Sequence, residues 1–152
     1  MSQLRTLTEL NEADCRTRLR SVPVGRLGYV ENGVPVVRPV NFYMLDESIW
    51  IWTVPGSRGA AVAGQTVAFQ IDQIELETRS GWTVLVSGPA TAVTDVDELV
   101  AAADFPRRPW APERNDQVIK IRIDHISGLR LPPSTTEQCA TSVIGRAQQY
   151  RR

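Results

Sequence analysis

Asn32-Gly33 sits between two stretches whose apolar residues alternate, and this arrangement constrains the chain more than any other feature. Upstream, Val24-Gly25-Arg26-Leu27-Gly28-Tyr29-Val30 places Leu27 and Tyr29 on one side. Downstream, Val34, Val36, Val40 and Phe42 fall at alternate positions, with Arg38 interrupting the same face. Period-two patterning marks strands, and Asn-Gly tolerates the positive φ that a two-residue hairpin demands. The other face of the return strand carries Pro35, Val37, Pro39 and Asn41. Two prolines remove two ladder donors, which predicts an edge strand or one that borders a cavity.

More strands follow at hairpin spacing. Asp46-Glu47-Ser48 turns the chain into Ile49-Trp50-Ile51-Trp52-Thr53, where Trp50 and Trp52 share one face and at least one is expected to fill the interior. Val67, Phe69 and Ile71 alternate, and Gly81 to Gly88 forms a further strand with a bulge expected at Gly88. Val118 to Ile123 is the last clear strand. Helices are few and short. Asn11 can cap one that carries Glu12 and Asp14 first and Arg16, Arg18 and Arg20 later, with Leu10, Cys15 and Leu19 on one face and Pro23 ending it. A second short helix is expected from Arg58 to Ala63, and Thr94 with Asp97 resembles a capping box for a third through Leu99 and Ala102. About six short strands with hairpin turns predict a mainly β fold, a six-stranded antiparallel barrel, in one domain over residues 1–152. The Ser-, Thr-, Gln- and Arg-rich tail at 133–152 is expected to be flexible or to dock on a partner.

Charge narrows the function. Lys+Arg and Asp+Glu both number 17, so a net charge of zero argues against a general nucleic-acid or anionic-membrane binder. The N-terminus lacks an apolar signal core and no apolar run reaches spanning length, so a cytoplasmic protein is expected. Cys15 and Cys139 read as two free thiols, and no metal-ligand cluster surrounds His125, the one histidine. Nucleophile-elbow, phosphate-loop and dinucleotide glycine motifs are absent.

One local pattern carries chemistry. Thr53-x-x-Gly56-Ser57-Arg58 ends a strand in Thr, turns through Pro-Gly and opens a helix with Ser-Arg. Two hydroxyls, helix N-terminal amides and a guanidinium suit a phosphate monoester; the same Gly-Ser pattern also serves as an ordinary helix cap. Trp52, Trp82 and Trp110 each flank glycine, proline or polar turn residues, where a planar heteroaromatic ligand could stack or where the ring could simply pack in the core.

Taken in order, Pro23-Val-Gly-Arg-Leu-Gly28, Arg38-Pro-Val-Asn-Phe42, Ile51-Trp-Thr-x-x-Gly-Ser-Arg58, Val67-Ala-Phe-Gln-Ile-Asp72, Arg79-Ser-Gly-Trp82, Pro109-Trp110 and Ile126-Ser-Gly-Leu-Arg-Leu131 resemble the pyridoxamine 5′-phosphate oxidase-like split barrels, notably their short actinobacterial-type members. The resemblance implies a homodimer with two flavin mononucleotide (FMN) sites at the subunit interface. It implies that Arg38, Pro39, Val40 and Asn41 run along the isoalloxazine edge through their main-chain amides. Thr53, Ser57 and Arg58 would hold the phosphate, with Trp52 beside them. Ser80, Gly81 and Trp82 would approach the same flavin from the other subunit, with Trp110 nearby. A flavin-dependent oxidoreductase acting on a small-molecule substrate or reduced nicotinamide is the implied activity.

The chain also departs from that pattern. Gly59 stands where many relatives carry a second basic residue, and Trp52 where close ones carry Arg, so one guanidinium is left to neutralise most of the phosphate. Its C-terminal part lacks the His-containing basic pattern that vitamin B6 phosphate requires. The same barrel in relatives serves as a non-catalytic flavin module, or binds a deazaflavin coenzyme or haem. A deazaflavin tail wants clustered cations that are not visible here, and haem would have only His125 as an imidazole ligand.

Overall fold

The hairpin forms as its sequence dictates. The computed structural model describes residues 5–53, 60–103 and 117–133. Asn32 and Gly33 take φ of 52° and 78° and join β2 (Val24–Glu31) to β3 (Val34–Leu45), paired from Glu31↔Val34 to Val24↔Asn41. β4 (Ser48–Thr53) returns against β3, and β5 (Thr66–Glu75) pairs on the other side of β2. β6 (Ser80–Ala92) follows β5, and β7 (Gln117–Arg122) bridges β4 and β6. Strands β2 to β7 therefore close a six-stranded antiparallel barrel in the order β6-β5-β2-β3-β4-β7. Two further strands, β1 (Thr8–Leu10) and β8 (His125–Leu131), extend the sheet from β6.

Alternation decides which side chains fill the barrel. Leu27, Phe42, Ile49, Ile51, Phe69, Ile71, Val84, Val86, Ile119 and Ile121 all point inward and are buried. Phe42 and Phe69 meet edge-to-face at 4.8 Å. α1 (Glu12–Leu19) lays Cys15 and Leu19 on this core, and the Asn11 side chain caps it by accepting from the Asp14 amide at 2.8 Å. A buried Leu contributes roughly 1.5–3 kcal/mol and such a cap about 1 kcal/mol. Burial pushes the Cys15 thiol pKa up, so it stays a protonated core group.

Four expectations are corrected. Ile49 and Ile51 fill the barrel, not the tryptophans: Trp50 and Trp52 lie on the outer face of β4, where Trp50 packs with Val93, Val118 and Ala102 of α2 (Val96–Ala103). Gly88 is not a bulge, because β6 keeps regular register with β5 through Thr66↔Pro89. Instead it marks the point where β6 changes neighbour from β8 to β7. The cap of α2 is Asp95, whose Oδ1 accepts from the Glu98 amide at 3.0 Å; Asp95 is one residue closer to the first turn than Thr94 and so reaches the orphan amide. The helix expected from Arg58 to Ala63 is, in its described part, only a 3₁₀ turn over Ala60–Val62.

The β3–β4 turn is built without glycine. Asp46 and Glu47 both adopt left-handed φ, of 47° and 58°, which costs each roughly 1–2 kcal/mol. The Glu47 carboxylate is gripped by Arg20 and by Arg16 of α1, the latter at 2.7 Å, which ties the helix to the turn. Hydrogen bonding from Arg20, with the charge of both arginines, holds its pKa below the usual carboxylate range. Because the folded-state value is depressed, this contribution is present above the ordinary carboxylate pKa and fades as pH falls through the folded one. We expect Glu47→Gln to lower the urea midpoint slightly at pH 7 and to match the wild type at pH 3. An equal gap at both pH values would show that the ion pairs contribute nothing.

Candidate functional site

The barrel opens where β3 outruns its partner. β3 pairs with β4 only from Phe42 to Leu45, so its segment from Val34 to Asn41 has β2 on one side and no described strand on the other. Phe42 donates its amide to the Pro23 carbonyl at 3.3 Å, which sets the parity of the strand. Residues 36, 38 and 40 turn their amides toward β2, and 35, 37, 39 and 41 toward the open edge. The two prolines are therefore on the open side, as the sequence predicts, and the only main-chain donors there are Val37 and Asn41. Pro39 has none, and the Val40 amide serves β2.

Side chains follow the same parity. Arg38 lies on the inner face, half-buried, and its Nε–H donates to the Tyr29 hydroxyl at 3.2 Å. Among the described residues no carboxylate lies within ion-pairing distance of it, whereas Arg16, Arg20, Arg26, Lys120 and Arg122 all have one. Thr53 is buried at the end of β4, on the same inward parity as Ile49 and Ile51, and its hydroxyl donates to the Gln117 carbonyl at 3.3 Å. To serve a phosphate oxygen that hydroxyl has to rotate away from the strand. Trp52 is half-buried in the outer cluster with Trp50 and Val118. Ser57, Arg58 and Trp110 lie outside the described residues.

The second group of expected residues sits elsewhere. Ser80 is within 2.7 Å of the Thr78 hydroxyl at the start of β6. Gly81 has a structural reason to be glycine, since a Cβ there would fall 2.3 Å from the Gln73 carbonyl oxygen. Trp82 packs against the barrel core, with the Arg18 guanidinium 4.7 Å from its ring centroid. Beside these residues runs a groove of about 600 Å³ lined by Leu7, Ile74, Leu76, Leu129 and Leu131. Between Arg38–Asn41 on β3 and Ser80–Trp82 on β6 stand β2 and β5. The register carries Arg38 through Leu27 and Phe69 to Val86, four residues along β6 from Trp82, so one protomer brings Arg38 to Asn41, Trp52 and Thr53 together at the opening and leaves Ser80 to Trp82 apart.

Three residues were not singled out by sequence reasoning. The sequence puts Tyr29 on one side of its strand with Leu27 but does not connect it to Arg38; its pairing with Val36 makes the two diagonal neighbours. Arg18 covers Trp82, and Arg5 fastens the start of the described chain to Pro132, donating from Nε at 3.0 Å. Tyr29 alone had a signal in the sequence, its place in an alternating apolar face on the strand that the hairpin pairs with that of Arg38. Among the described residues no three His, Cys, Asp or Glu side chains gather to hold a metal, and no helix is long and apolar enough to cross a membrane.

Comparison with known proteins identifies the fold and family. An uncharacterised protein of Mycobacterium tuberculosis, Rv0080, is 32% identical over 133 residues, covering 84% of this chain and 87% of that one. The structure of an FAD-binding protein from Mycobacterium smegmatis superposes with a TM-score of 0.74 at 26% identity, covering 84% of this chain and all of the other. An FAD- and haem-binding protein from the same organism shares the fold, with a TM-score of 0.64 at 17% identity over 88% of this chain and 79% of its own. The sequence pattern of the family described as pyridoxamine 5′-phosphate oxidase matches residues 11–131, and the chain belongs to that pyridoxamine 5′-phosphate oxidase-like family of split barrels.

Proposed function

We propose that the protein binds FMN at the opening between β3 and β4 and works there as a flavin-dependent oxidoreductase in the cytosol. The observation that carries this reading is Arg38: a half-buried guanidinium beside a strand edge that no described strand covers, with no carboxylate partner among the described residues. A cation left so is stabilised by an anionic ligand. The open-edge amides of Val37 and Asn41 and the carbonyls between them offer donors and acceptors to a heteroaromatic ring. Thr53, Ser57 and Arg58 would join Arg38 around the phosphate. The inward placement of Arg38 supplies a second cation, which offsets the missing basic residue at Gly59.

We further propose a homodimer. The separation of Arg38–Asn41 from Ser80–Trp82 by two intervening strands within one protomer supports a site completed by a second copy. So does the outer sheet face, where Val37, Leu85 and Leu129 are each exposed. Bound flavin would supply the hydride or electron chemistry; the residues named here bind it, orient it and neutralise its phosphate. Flavin adenine dinucleotide carries the same ring and first phosphate, and the M. smegmatis relative makes it the second cofactor to test.

The visible absorption spectrum of the purified protein, followed by titration with FMN, FAD and a deazaflavin, tests the cofactor. Saturable FMN binding with flavin absorption is expected; tight deazaflavin binding without FMN binding would sink the reading. Oxidation of reduced nicotinamide with an artificial acceptor tests the activity, and bound flavin without turnover would leave a non-catalytic flavin module.

A further inference from the structure

Tyr29 is buried to 5% exposure on the inner face of β2, and its hydroxyl accepts the Nε–H of Arg38 at 3.2 Å. The neighbouring inward side chains of β2 and β3 are Leu27, Val36, Val40 and Phe42. On this wall the phenol is the polar group that can restrain the guanidinium. An arginine side chain has several freely rotating bonds, and holding it in one geometry costs conformational entropy at the moment a ligand binds. With Nε tied to Tyr29, both Nη groups are left without a protein partner among the described residues. Those two groups form the bidentate edge that matches a phosphate.

We propose that Tyr29 is a positioning residue that presents the Nη edge of Arg38 to the flavin phosphate and so sets the preference for phosphorylated flavin over riboflavin. This rests on the flavin reading above. Removing the hydroxyl frees the guanidinium without altering the ring that fills the barrel, so the loss falls on phosphate-bearing ligands. A purely structural role would affect both flavins alike.

Fluorescence titration of FMN and riboflavin against the wild type, Tyr29→Phe, Arg38→Lys and the double variant tests this, with the thermal midpoint checked for each. Tyr29→Phe should weaken FMN binding roughly three- to tenfold, as expected for loss of one supporting hydrogen bond, and leave riboflavin within twofold. In the Arg38→Lys background, which has no Nε–H to hold, the same change should have no further effect. Equal weakening of both flavins, or an unchanged FMN preference in Tyr29→Phe, would overturn the proposal while the flavin reading stands. Failure of the wild type to bind either flavin would overturn both.

Discussion

Replacing Gly88 by alanine should lower the thermal midpoint by roughly 10 °C or more, corresponding to a loss of about 4 kcal/mol in a chain of this size. A Cβ at Gly88 would sit 1.7 Å from the Arg122 carbonyl oxygen and 2.9 Å from its carbon. Both are backbone atoms of the chain leaving β7, so no side-chain rotation relieves the overlap. Gly88 lies where β6 passes from β8 to β7, and the Asp124 amide donates to the Ser87 carbonyl at 3.1 Å beside it. Moving either strand apart would open the barrel seam. Urea and thermal unfolding of Gly88→Ala check the expectation, and a midpoint within two degrees of the wild type would mean that the close approach is not a feature of the folded protein.

Arg58→Ala should weaken FMN binding roughly tenfold to more than a hundredfold, the range expected for one charge-assisted phosphate contact of about 1.5–3 kcal/mol. Riboflavin, which has no phosphate, should be unaffected. Arg58 stands five positions after Thr53 in the sequence, and Thr53 ends β4 on the side where β3 and β4 part. In the proposed site two guanidinium groups share a near-dianionic phosphate, so losing one should leave partial neutralisation: measurable affinity should persist and should fall more steeply with salt in the wild type than in the variant. Fluorescence titration at two ionic strengths reads both effects. An unchanged FMN affinity would place the phosphate away from this loop.

Local patterning made much of the fold legible. Asn32-Gly33, the alternation of Val67, Phe69 and Ile71, and the Asn11 cap each act over a few residues, where sterics and hydrogen bonding leave little choice. The edge role of β3 was legible too, because a proline has no amide to give wherever it lies. Long-range pairing set what local pattern left open. β1 is a short strand whose partners on β8 lie 118 or more positions away, β8 in turn pairs with β6 across 38 or more, and Gly88 reads as a bulge until β7 is seen against it. Trp50 and Trp52 show the same limit. Their shared face was readable, but whether it looked into the barrel depended on where α2 docked.

The site divides in the same way. Residue types alone offered the run from Thr53 to Arg58 as either a phosphate site or a helix cap, and showed the interruption of an apolar face by Arg38, since charge and hydroxyl chemistry do not depend on the fold. Tertiary structure decided that Arg38 points inward to the Tyr29 hydroxyl, that Val40 turns its amide to β2 and away from the open edge, and that Ser80 to Trp82 lie three strands away. The physical reason is that alternation assigns each residue to one of two faces, while only sheet closure says which face is inside and which strands meet.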